Sequence, residues 1–127
     1  MPTVLVVDDE PLFLEVVADI LTAAGHRVLV AGSVQEAIAK LQQERPAVVL
    51  TDMMMPGLDG LNLVHRLRAD RECSQVRVII VSAKAMAEDF ERARRAGADD
   101  YLVKPFSATE LRAKVNAMAS VGVTDRN

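Results

Sequence analysis

"VVLTDMMMPGLDG", residues 48–60, joins an apolar run to a lone acid, three methionines and a Pro-Gly turn. Val48, Val49 and Leu50 read as a strand buried on both faces, and Asp52 comes where that strand leaves the core. Five such runs recur along the chain: Thr3–Val7, Arg27–Val30, Ala47–Thr51, Arg77–Val81 and Tyr101–Val103. Between them lie segments with helical spacing. In "PLFLEVVADILTAAG", Leu12, Val16, Val17, Ile20 and Leu21 share a face, Pro11 suits a first turn and Gly25 a stop. Ser33 with Glu36, and Ser107 with Glu110, have capping-box spacing for the second and last helices. Asp59–Ala69 and Met86–Ala96 supply the third and fourth helices, the latter ended by Gly97. Five alternations of strand and helix predict an α/β sandwich with a parallel sheet and right-handed crossovers.

The 127 residues suffice for one domain with one sizeable core. We expect that domain over 1–119, with a polar tail over 120–127 that frays. A net charge of −3 and no basic cluster argue against binding of nucleic acid or of an anionic membrane. No apolar stretch has the length of a membrane span, and the N-terminus lacks a signal peptide's features. Cys73 is the single cysteine, which excludes an internal disulfide and leaves the cytoplasm as the expected location.

In open parallel sheets, sites form beyond the carboxyl ends of the strands. The candidate polar residues fall there: Asp8 and Asp9 after the first strand, Asp52 after the third, Ser82 after the fourth, Lys104 after the fifth. One of Asp8 and Asp9 has an ordinary use as a helix cap, which does not explain two adjacent acids. Three carboxylates within about 4 Å would repel pairwise by ~4 kcal/mol at an effective dielectric near 20, so they need a cation. Oxygen ligands without histidine or cysteine favour Mg²⁺. A lone loop lysine is usually solvated, but Lys104 precedes Pro105 at a strand end, opposite those acids. A hydroxyl, a lysine and a metal together would surround a phosphoryl group on Asp52.

"VLVVDDEP", "VVLTDMMMPGLDGL", "VIIVSAK" and "AGADDYLVKPF" resemble, in order and spacing, the blocks of response-regulator receiver domains of two-component signalling. The likeness runs from about Val4 to Met118. It implies a doubly wound, flavodoxin-like fold with five helices around a five-stranded sheet ordered 2-1-3-4-5. It makes Asp52 the phosphoacceptor, and Asp8, Asp9, Asp52 and the Met54 main-chain carbonyl the Mg²⁺ site, with Asp9 the direct ligand. Lys104 would contact the phosphoryl group ahead of a cis bond to Pro105, Ser82 and Tyr101 would form the switch pair, and Pro56 and Gly57 would shape the acceptor loop. Met54 and Lys84 would flank the path of attacking water. His26 and His65 match no donor motif and read as surface residues, so the phosphohistidine would come from a histidine kinase or phosphotransfer protein. The output would be a helix 4–strand 5–helix 5 surface that controls an effector protein or pairs with a second copy after phosphorylation. Such a chain catalyses only its own phosphorylation and dephosphorylation. A receiver piece of a longer DNA-binding regulator is the alternative. A phosphatase using Asp52 is disfavoured because Met54 replaces the second acid of a D-x-D pattern.

Overall fold

The computed structural model describes residues 2–55 and 59–124, with side chains described as far as residue 120. Five strands alternate with five helices: β1 (Thr3–Val7), α1 (Pro11–Ala23), β2 (Arg27–Ala31), α2 (Val34–Gln43), β3 (Val48–Asp52), α3 (Gly60–Ala69), β4 (Arg77–Ser82), α4 (Ala87–Ala96), β5 (Asp100–Val103) and α5 (Ala108–Thr124). All the strand pairs are parallel, and the order across the sheet is β2-β1-β3-β4-β5. This is the doubly wound, flavodoxin-like arrangement expected.

The period-two geometry of a strand divides each apolar run between two cores. Leu5, Val7, Val49, Val78 and Ile80 face one side, with α2, α3 and α4 packed over them. Val4, Val6, Val48, Leu50, Ile79 and Val81 face the other, against Val17 and Leu21 of α1 and Leu111 and Val115 of α5. Covering both faces is why these strands are apolar at every position instead of alternating.

The helix signals hold at their ends. Ser33 and Ser107 accept the backbone N–H of Glu36 and Glu110, and Asp59 and Asn62 bond reciprocally at the start of α3. Gly97 ends α4 with φ +112, a conformation that favours glycine. α5 continues to Thr124, so residues 120–124 are helical. The stripe on α1 is wider than its buried face, for Val17 and Leu21 are buried whereas Leu12 is 72% and Val16 49% exposed. His26 is the clearest correction among the side chains. It is buried, not a surface residue, and its Nε2 lies 2.7 Å from Asn116 Oδ1 on α5. His65 is exposed as expected. Pro56 and Gly57 lie outside the described residues.

Candidate functional site

The carboxyl edge of the sheet brings the predicted polar residues together. Asp52 and Ser82 do not follow their strands; they are the last residues of them, with Asp52 in register with Val81 and Ser82 with Val103. A side chain does not enter the backbone ladder, so an acid can end a strand as readily as a valine. Asp8 lies just past β1, yet its N–H still bonds to the Ala31 carbonyl, and the Lys104 N–H bonds to that of Ser82. These candidate groups thus stand on pinned backbone, a rigid base for chemistry.

Asp8 is fully buried. One of its oxygens accepts the Glu10 N–H at 2.9 Å and the other accepts Lys104 Nζ at 3.1 Å. Asp8 is therefore not the N-cap of α1; that position is Glu10, and no side chain caps it. Lys104 Nζ also reaches Asp52 Oδ2 at 3.4 Å and stands 4.2 Å from the centre of the Phe13 ring. The bond from Lys104 to Pro105 is cis. Asp52 Oδ1 accepts the Met54 N–H at 3.2 Å. Burial pushes the Asp52 carboxyl above its ordinary pKa; the Met54 N–H and Lys104 pull against that, and the Asp8 charge adds to it. Burial opposes the charge on Lys104, but the Asp8 hydrogen bond and both carboxylate charges hold its pKa above the ordinary value.

One oxygen from each of Asp8, Asp9 and Asp52 falls within a common 4.8 Å. Three hard oxygens, one of them from the fully buried Asp8, suit a divalent cation of the Mg²⁺ type. The donor set fits that ion.

Ser82 is buried, and its Oγ accepts the Lys84 N–H at 3.1 Å. The Tyr101 hydroxyl donates to the Lys84 carbonyl at 2.8 Å, and its ring meets Phe90 edge-on with centroids 4.6 Å apart. Ser82 and Tyr101 thus share one peptide segment. Met54 and Lys84 are both exposed.

Two contributors escaped the sequence reading. A Cβ on Gly60 would lie 2.1 Å from the Asp52 carbonyl oxygen, so glycine is required for α3 to start against the end of β3. Its only sequence signal is the Asp-Gly pair that precedes the third helix. Phe13 gives no signal beyond helical spacing.

Fold and site together define a doubly wound module with an acid pocket and a lysine at its carboxyl edge. The chain belongs to the response regulator receiver domain family, which matches residues 4–116. It is 39% identical over 118 residues to the protein PilH of Pseudomonas aeruginosa, covering 93% of this chain and 98% of that one. It is also 40% identical over 123 residues to TcrX of Mycobacterium tuberculosis, covering 96% of this chain and 52% of TcrX. It spans 51% of the P. aeruginosa phosphate regulon transcriptional regulatory protein PhoB, so these two relatives are about twice as long as the part matched. Among solved structures, the chemotaxis protein CheY4 of Vibrio cholerae superposes with a TM-score of 0.89 at 29% identity, over 93% of this chain and 98% of that one. The chain is a response-regulator receiver domain, a signalling module of two-component systems. Among the described residues no helix is long and apolar enough to cross a membrane.

Proposed function

We propose that Asp52 accepts a phosphoryl group from a phosphohistidine on a kinase or phosphotransfer protein, and that the adduct biases the α4–β5–α5 surface toward a downstream partner. The supporting observation is Lys104 Nζ, placed between the buried Asp8 and Asp52 at 3.1 and 3.4 Å. In the transfer, an Asp52 oxygen forms the new P–O bond as the P–N bond of phosphohistidine breaks, leaving an acyl phosphate. A Mg²⁺ ion held by Asp8, Asp9, Asp52 and the Met54 carbonyl would supply positive charge for the incoming phosphoryl oxygens. Lys104 adds a second positive charge and exchanges its Asp52 contact for a phosphoryl oxygen. The Met54 N–H holds Asp52 Oδ1, which fixes the direction from which the other oxygen attacks.

Ser82 then turns its hydroxyl from the Lys84 N–H to the phosphoryl group. A hydrogen bond to a charged group contributes about 1.5–3 kcal/mol, so the inactive/active ratio shifts roughly ten- to a hundred-fold. Tyr101 shares the Lys84 segment and carries that change to Phe90 and the α4 surface. The partner on that surface is an effector protein or a second copy of the chain. The cytoplasm, where kinase and effector meet, is the proposed setting.

The test is intact mass after exposure to acetyl phosphate, with and without Mg²⁺. One phosphoryl adduct forms in the wild type with Mg²⁺, and none forms in Asp52→Ala. An adduct of equal yield in Asp52→Ala removes Asp52 as the acceptor.

A further inference from the structure

Arg68, in the last turn of α3, directs its guanidinium away from its own helix. Nε–H donates to the Gly97 carbonyl at 2.9 Å, the residue that caps α4. One terminal nitrogen donates to the Val76 and Ser74 carbonyls at 2.6 and 3.1 Å, in the segment that leads into β4. The other donates to Asp99 Oδ2 at 2.8 Å, and that same oxygen accepts the Val78 N–H at 2.8 Å. Arg77 approaches the second Asp99 oxygen at 3.4 Å. The stem of Arg68 is held as well, since a Cβ on Gly97 would lie 2.8 Å from Arg68 Cγ. A planar fork with several fixed acceptors loses little further freedom and sets orientation as well as distance.

The opposite end of α4 is built differently. Met86 is 66% and Phe90 39% exposed. The Met86 N–H is capped by Asp89 from the same turn. Among the described residues no hydrogen bond joins this first turn to another element, and Phe90 rests edge-on against the Tyr101 ring. One end of the helix is therefore bolted to α3, β4 and the start of β5. The other rests on a ring contact beside the Ser82–Lys84–Tyr101 segment.

We infer that Arg68 is the pivot of α4: the response to phosphorylation is confined to residues 84–91, while the Arg68–Gly97–Asp99 junction holds 94–99 in place. The inference rests on the phosphorylation reading above. A helix free at one end and fixed at the other tilts instead of sliding. Phe90 then changes its height above the surface, while Asp99 and Asp100 keep their places at the start of β5.

Hydrogen exchange of the full chain, in Mg²⁺ with and without beryllium fluoride as a tetrahedral phosphoryl mimic, tests this. In the wild type, exchange over 84–91 changes several-fold on adding the mimic and exchange over 94–99 does not. Arg68→Lys keeps the charge but not the fork. Its 94–99 amides exchange several-fold faster even without the mimic, and the mimic's effect spreads into them. Gly97→Ala keeps the arginine but crowds its stem, and gives the same spread if the lysine variant does not fold. Wild-type changes of equal size in 84–91 and 94–99, or a wild-type boundary retained in the variants, overturns the pivot. Failure of the phosphorylation reading shows separately, as no acetyl phosphate adduct on Asp52. The comparison over 94–99 without the mimic still decides whether Arg68 is the lock.

Discussion

Lys104 is the only described cation within hydrogen-bonding reach of the fully buried Asp8, and it reaches Asp52 as well. Lys104→Ala strands that buried charge. Breaking a buried pair costs about 3–5 kcal/mol, and because Lys104 keeps 21% of its side chain exposed the loss here should fall near 2–3 kcal/mol. The urea midpoint of the metal-free protein measures it, and Mg²⁺ should restore part of the loss by giving Asp8 another cation. Tyr101 offers a pH signature. Burial raises its phenol pKa, and the Asp89 and Asp52 charges add to the rise. The folded protein therefore keeps the proton to higher pH than the unfolded chain does. Its contribution to stability is fully present below the ordinary tyrosine value of about 10, and is lost as pH rises from there through the raised folded value. Tyr101 is the single tyrosine, so phenolate absorbance reads it directly. The midpoint should lie higher in folded than in denatured protein. Coincident midpoints in folded and denatured protein would contradict the effect of burial.

At the scale of elements, the start of α3 is fitted against the end of β3. The Gly60 N–H bonds to the Met53 carbonyl at 3.0 Å, and no room exists for a Cβ. Gly60→Ala must push the helix or Asp52 aside. Overpacking of this kind costs about 1–3 kcal/mol. Because the displaced oxygen is Asp52's own, phosphorylation by acetyl phosphate should slow even where the urea midpoint recovers at low temperature. Unchanged rate and midpoint would show that the loop yields freely. This fit was not legible in the sequence, for it depends on a distance across the loop and not on periodicity. Strands, helices and the clustering of Asp8, Asp9, Asp52, Ser82 and Lys104 were legible, because apolar runs and strand ends are local signals. The strand order came from resemblance. His26 escaped because its partner lies 90 residues away, and Leu12 and Val16 because an apolar stripe does not show how much of it the sheet covers.

For the molecule as a whole, a cation bound only by the folded state stabilises it by mass action, about 2.7 kcal/mol at a hundredfold excess over Kd. Thermal or urea unfolding of the wild type should show such a gain with Mg²⁺. Asp9→Ala should lose more of it than Asp8→Ala, because Asp8 is already bonded to Lys104 and to the Glu10 N–H. Equal gains in the two variants would remove the distinction between Asp9 and Asp8. The place of β1 beside the central strand β3 has a further consequence, for biosynthesis. β1 and β3 are neighbours, so Asp8 and Asp52 can meet as soon as β3 has emerged from the ribosome. Lys104 comes 52 residues after Asp52, which at roughly 5–20 residues per second is a delay of about 3–10 s. Over that interval the nascent sheet carries two acids at adjacent strand ends without their lysine, and mutual repulsion opposes closure of that edge. The last strand therefore neutralises the nascent edge as it completes the sheet, and a chain stalled before Lys104 would be left with an acidic, fraying rim.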